Sequence, residues 1–332
     1  MARSEYLGLL AVLALLVLLF GSLSERFLTL RTFTTVANQV PDLAVVAVGM
    51  TFVLIVGGID LSVGSVLALA GAVMGVALVE WNLPLGAGAL AALGAGLICG
   101  FLNGFASVWW SIPSFIVTLG MLEVSRGAAY LVTDSKTAYI GTTIEPIGAP
   151  LPVIGLSPAF LTAVLLVAAG QLVLSRTVFG KYAVAIGTNE EAVRLSGVDP
   201  RPTRIAVFAL AGLLSGLGGI FHAARLVAAD PNAAVGLELS AIAAVVLGGT
   251  SLLGGRGSVV RSFFGVLVIA VLQSGLAQIG ASEPTKRVVT GVVIVAAVIA
   301  DSYRSRRAAE SGPILVERGS APRERRSPPD GS

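Results

Sequence analysis

The chain has 332 residues, of which 55% are hydrophobic and only 12% charged, with a formal net charge of +3 and a mean hydropathy of +0.89. A soluble globular domain carries about 25% charged residues, and here the apolar residues fall in blocks about as long as a bilayer is thick, which excludes an ordinary soluble enzyme. Those blocks are continuous rather than alternating, which excludes a membrane β-barrel.

The fold class is therefore all-α and polytopic, with ten predicted membrane spans and broken or re-entrant segments among them. The spans lie at about 6–23, 39–57, 62–80, 84–108, 114–133, 158–175, 204–222, 238–250, 260–280 and 287–301. Arg3 precedes the first, as in a signal peptide, but no small-x-small cleavage site follows, so it is read as an uncleaved helix. Between the second and third spans stands VGGIDLSVGS, residues 56–65, where Asp60 interrupts otherwise uncharged runs. A carboxylate in hydrocarbon costs a few kcal/mol or more. Gly57 and Gly58 permit a break there, and Asp60 or Ser62 caps the helix that follows, whose positive end favours a carboxylate. A solute ligand, a gate or a partner contact are the alternative roles for Asp60.

Further along, Cys99 is the only cysteine and lies in an apolar run, so it is read as packing. Glu123 and Arg126 are three apart on one helix and predict a neutralising pair. Residues 134–157, punctuated by Pro and Gly, form a plausible exterior docking surface. His222, the only histidine, is read as an interfacial residue, which leaves almost nothing for a histidine-dependent metal site; no cofactor is expected. Gly248 and Gly249 open GGTSLLGG, a second turn that is either a plain glycine turn or, with Arg256 beside it, a loop facing a partner. Residues 1–301 form the transmembrane domain with an interior loop at 176–203, and residues 302–332 a disordered basic tail. Lys and Arg crowd that loop, residues 251–259 and the tail, which places them and both termini in the cytoplasm.

Within the loop, Thr188 and Glu191 fit a capping box around a short helix at 189–196. Glu190 and Glu191 suit its positive end, Arg194 its last turn and Gly197 its C′ cap, while Pro200 blocks continuation. So short a helix has little stability alone, and it is read as gripped by a cytoplasmic partner or else as a connector on the membrane surface. The chain has no phosphate-binding loop of its own; Phe179-Gly180-Lys181-Tyr182 lacks the leading glycine and the hydroxyl residue. Polar or aromatic residues available to line a path are Asn38, Gln39, Asn103, Phe115, Thr118, Gln171, Gln273, Ser274 and Gln278; for each, interhelical hydrogen bonding or packing is the competing role.

Four stretches stand in order: GGIDLSVGS (57–65), NG with IPSFIVTLGM and RG (103–127), AIGTNEEAVRLSGV (185–198) and AAVVLGGTSLLGGRGS (243–258). Together they resemble the ribose-type sugar ABC transporter permeases, from about residue 5 to 301. The resemblance implies a bacterial inner-membrane protein that takes a monosaccharide from an extracytoplasmic binding protein. It also implies a separate ABC ATPase that hydrolyses the nucleotide, a second permease copy, and no nucleic-acid partner. Asn189, Glu190, Glu191, Ala192, Arg194, Leu195, Ser196 and Gly197 match the family's coupling helix, which sits in a cleft of the ATPase. Asn103 and Thr118 gain weight as path residues by falling in these motifs. The chain departs from the common pattern at Ser240, often acidic in the family, at Thr290, often lysine, and in its basic tail. A permease for nucleosides or branched-chain amino acids is the alternative within transport, and an ATPase-independent carrier the alternative outside it. An intramembrane enzyme using Asp42 and Asp60 as an aspartyl pair is the most distant reading.

Overall fold

The computed structural model describes residues 2–310 and is almost wholly helical. In chain order the helices are α1 Ala2–Leu23, α2 Leu30–Gln39, α3 Pro41–Ile55, α4 Val63–Val79, α5 Leu85–Trp109, α6 Ser114–Val132, α7 Glu145–Gly148 and α8 Pro158–Arg176. There follow α9 Val178–Thr188, α10 Glu190–Leu195, α11 Arg201–Leu226, α12 Leu237–Leu247, α13 Val259–Gln278 and α14 Glu283–Glu310. Two short strands, β1 Ala138–Tyr139 and β2 Ala228–Ala229, pair antiparallel with Ala138 opposite Ala229. They tie the segment after α6 to the end of α11.

Among the described residues, six helices are long and apolar enough to cross a membrane, or seven if α2 and α3, bent by 50° at their junction, form one span. Part of the difference from the predicted ten lies in α4 and α12, apolar helices of 17 and 11 residues that are shorter than a full span. The apolar stretch at 238–250 yields only the 11 residues of α12, about 17 Å of helix against a hydrocarbon core of about 30 Å. Gly236, with φ of +85°, starts it, and Gly249, with φ of +79°, follows its end. At the far end of the chain α14 continues through the predicted boundary at 301 to Glu310, and the remainder of the tail lies outside the described residues.

The core is built around α3, in which every residue except Leu43 is buried. Against it pack α11, α8, α12 and α13. The tightest pairing is between α5 and α11, and the sequence explains it. Gly96 and Gly100 on α5 face Gly212 and Gly216 on α11, each pair four residues apart on one helix face. A Cβ at Gly96 meets the carbonyl oxygen of Gly212, and a Cβ at Gly212 meets that of Gly96. Small residues at this spacing let two backbones touch, which is how helices associate where lipid offers no hydrophobic drive.

Because the chain alternates direction, the breaks sort to two ends of the bundle. One end gathers the α3–α4 break, the end of α9 and the α12–α13 turn: Gly255 N–H donates to the Ile55 carbonyl at 2.9 Å, and Gly187 has no room for a Cβ against that same oxygen. The opposite end carries the β1–β2 pair, the start of α3 and the end of α11.

Candidate functional site

At the first end, residues 56–62 leave helical geometry. Gly57 has φ of +75°, the left-handed turn that the glycine pair predicts, and Gly58 packs on the Phe208 ring, whose nearest atom stands 2.9 Å from a Cβ built there. Asp60 Oδ1 accepts from the Ser62 N–H at 2.9 Å and from Ser62 Oγ at 2.6 Å, and Asn103 Nδ2 donates to Ser62 Oγ at 2.9 Å. Ser62 is the N-cap residue by position, but its side chain makes no capping bond; Asp60 supplies the acceptor instead. The extended backbone between is held by α6: Ser114 Oγ accepts from Ile59 N–H at 2.9 Å, and Thr118 Oγ1 accepts from Leu61 N–H at 3.1 Å while donating to the Ile59 carbonyl at 3.2 Å. Non-helical backbone within a membrane protein must be satisfied by protein, and two side chains of α6, together with Asp60 itself, do it.

Two sequence-predicted path residues, Asn103 and Thr118, therefore stand in this buried clamp, while Phe115 on the same helix as Thr118 is half exposed on the outer surface. Asn38 and Gln171 are likewise committed, Asn38 to Gly155 and Ser157, Gln171 to Ser258 and Val260. The expected Glu123–Arg126 pair does not form. Arg126 instead reaches across to donate to the carbonyls of Pro231 and Ala233 at 2.6 and 2.8 Å. Asp42 and Asp60 fall in separate clusters, so no aspartyl pair exists.

At the opposite end lies a cavity of about 830 Å³, within the few hundred to about 1,000 Å³ usual for small-molecule sites. Gln39 of α2, Ser240 of α12, Gln273, Ser274 and Gln278 of α13 all line it, so the remaining predicted path residues Gln273 and Ser274 share one wall with Gln39 and Gln278 nearby. α14 adds Glu283, Lys286, Arg287 and Thr290. A cluster that sequence reasoning missed anchors the wall. Asp42 Oδ2 accepts from His222 Nδ1 at 2.7 Å and from Arg225 Nη2 at 3.0 Å, and Asp42 Oδ1 accepts from Leu43 N–H at 2.8 Å. His222 and Arg225 stand three apart on α11, a signal that was present, but their carboxylate is 180 residues away from His222. Asp42 is 4% exposed, and its charge is matched inside the cluster.

The short interior helix forms α10, one residue off its predicted cap. Asn189, not Thr188, is the N-cap: Asn189 Oδ1 accepts from Ala192 N–H at 2.9 Å. Thr188 closes α9 and returns its hydroxyl to the Val184 carbonyl at 2.8 Å, so Glu191 has no capping box to complete. The other end is as predicted. Gly197 has φ of +86°, its N–H bonds to the Arg194 carbonyl at 3.0 Å, and Val198 N–H to the Val193 carbonyl at 3.3 Å, a full Schellman closure. Glu190 bonds Arg194 within the helix at 3.1 Å and Arg204 of α11 at 2.8 Å. Leu195 is left 81% exposed, with Ala192 and Ser196 also facing out.

The Gly248–Gly249 turn is held closely by α13: a Cβ at Gly248 meets the Ser262 N–H nitrogen and the Arg261 carbonyl group.

Residues 32–298 match the family described as the permease component of the branched-chain amino acid transport system. The ribose import permease protein of Escherichia coli strain K12 is 39% identical over 312 residues, covering 90% of this chain and 94% of that protein. That of Bacillus subtilis strain 168 is 38% identical over 310 residues, covering 91% and 94%. The fructose import permease protein of Rhizobium meliloti is 32% identical over 308 residues, covering 89% and 84%. No solved structure matches the chain.

Proposed function

Because this chain belongs to that permease-component family, and within it to the sugar permeases of ABC transporters, we propose that it forms the path by which a monosaccharide is imported. In this reading a binding protein outside the membrane delivers the sugar to the cavity of Gln39, Gln273, Ser274 and Gln278. A separate ABC ATPase hydrolyses the nucleotide and grips residues 189–197. A second permease copy completes the path, and the chain lies in a bacterial inner membrane with both termini in the cytoplasm. The Asp60 clamp, with Gly57, Gly58 and Ser62, is a structural joint near the cytoplasmic face, as is the Gly248–Gly249 turn.

One observation carries this reading. α11 is a single helix of 26 residues that touches both sites. Near its start Arg204 bonds Glu190 of α10, and near its end His222 and Arg225 bond Asp42 in the cavity wall. From Arg204 to His222 is about 27 Å at 1.5 Å per residue. A rigid element in contact with two sites is what transmits a state change between them, provided each partner distinguishes two arrangements of it. A carrier without an ATPase has no use for a capped, exposed helix at the far end of that rod.

Orientation is tested by cysteine labelling in a variant with Cys99 replaced by alanine. Cysteine at Ser196, exposed after α10, is expected to react with an impermeant maleimide only from the cytoplasmic side, and cysteine at Thr142 only from outside. The reverse pattern removes the coupling assignment.

A further inference from the structure

We infer that α6 presents Glu123 to a water-filled path between two copies of this chain, each copy supplying one wall. The inference rests on the transport reading above and assigns the face at which a second permease completes the path.

The two faces of α6 are unlike. On one, Ser114 and Thr118 clamp residues 59–61, Ser125 Oγ stands 3.8 Å from the Cys99 sulfur, and Ala129 is buried. On the other, Ile116, Gly120, Glu123, Val124, Gly127 and Leu131 are all exposed. Their spacing of three and four residues keeps them on one stripe. A Cβ at Gly120 or Gly127 meets nothing within 4 Å, so no described residue covers the stripe there. The Glu123 carboxylate makes no hydrogen bond or ion pair among the described residues, and Arg126, three residues on, is bonded to the carbonyls of Pro231 and Ala233.

Depth makes this exposure informative. Glu123 is nine residues from either end of α6, Ser114 and Val132. That is about 14 Å of helix on each side, the middle of a hydrocarbon core of about 30 Å. The exposed Trp109 and Trp110 precede one end, and the exposed Asp134–Lys136 ion pair follows the other, as residues at the two membrane–water boundaries do. A glutamate side chain is too short to reach either boundary, and an ionised carboxylate facing lipid at the centre is costly. The stripe therefore faces protein or water.

A protein that covers it must itself lie in the bilayer beside the middle of α6. A soluble ATPase and an extracytoplasmic binding protein do not reach that place; a second copy of this chain does. A two-fold axis beside the stripe sets α6 opposite its own counterpart. Direct contact there brings two carboxylates together out of water, where like charges repel strongly. Water between the two helices removes the conflict and leaves an aqueous path. That path adjoins the cavity already described, because the loop that Arg126 holds at Pro231 and Ala233 runs on to Val235 and Gly236 in the cavity wall.

The experiment uses the full chain with Cys99 replaced by alanine, reconstituted in vesicles with its ATPase and binding protein. Single cysteines are placed by Glu123→Cys and Gly127→Cys on the stripe, by Ser125→Cys on the buried face, and by Leu165→Cys at an exposed position near the middle of α8. The probe is a cationic methanethiosulfonate, which needs a water-exposed thiolate. Glu123→Cys and Gly127→Cys are expected to react at least about tenfold faster than the other two. Bifunctional methanethiosulfonates of increasing length are expected to join two copies through residue 123, giving a dimer band that a reductant reverses. Should Glu123→Cys not insert, Gly127→Cys carries both measurements. Rates on the stripe as slow as at Leu165→Cys place it in lipid and overturn the inference. Fast labelling without a dimer band at any reagent length also overturns it, because the water then lies against something other than a second copy. If the unmutated complex fails to accumulate ribose, the transport reading fails, while labelling and cross-linking still decide what α6 faces.

Discussion

Asn189→Ala isolates the contribution of the α10 cap to coupling. The structure gives α10 six residues and one side-chain cap, the 2.9 Å bond from Ala192 N–H to Asn189 Oδ1. Loss of an Asn cap to alanine costs about 1 kcal/mol. A helix this short is marginal by itself, so that loss shifts its ordered-to-frayed ratio by about fivefold. A partner that grips only the ordered helix then binds more weakly in proportion to the ordered fraction lost. Adding Glu190→Ala removes the 2.8 Å bond to Arg204, a half-buried charge-assisted contact worth about a further 1 kcal/mol. The rest of the molecule, with α3 and α11 untouched, stays folded. Uptake and sugar-stimulated ATP hydrolysis in reconstituted vesicles are expected to fall together, up to about fivefold in Asn189→Ala and further in the double variant. Full activity in the double variant, or an Asn189→Ala that hydrolyses ATP normally but moves no sugar, refutes the reasoning.

Two further predictions concern the packed joints. Asp60→Asn keeps an Oδ1 acceptor for Ser62 and is expected to be mild, whereas Asp60→Leu strands the Ser62 N–H and hydroxyl and costs about 1–3 kcal/mol for each group left unpaired; protein yield and unfolding temperature in detergent separate the two. Gly212→Ala places a Cβ on the Gly96 carbonyl and forces α5 from α11, with an expected loss of about 1–3 kcal/mol seen as a lowered unfolding temperature.

How far the sequence carried these conclusions depended on range. Gly57 and Gly197 were legible because left-handed turns leave a local mark, and both glycines have positive φ. The cap of α10 was misplaced by one residue because Thr188 and Asn189 are both good caps. The choice was made by α9, whose helical residues 178–188 absorb the threonine hydroxyl. The partners of residues 59–62 come from α5 and α6, and no local rule names Asn103, Ser114 or Thr118 as clamps. The Asp42–His222–Arg225 cluster was invisible for the same reason. Arg126 shows the converse failure: a sound local rule paired it with Glu123, and a loop 105 residues away took it instead.

The central claim is that this chain imports a sugar at the expense of ATP hydrolysed elsewhere. Its most direct test is accumulation of labelled ribose in vesicles holding the permease, with an ABC ATPase from the same organism and ribose-loaded binding protein present. The account predicts concentrative uptake that needs ATP, stops when the ATPase is omitted, and is indifferent to a collapsed proton or sodium gradient. Uptake that persists without the ATPase and vanishes when the ion gradient is collapsed contradicts it.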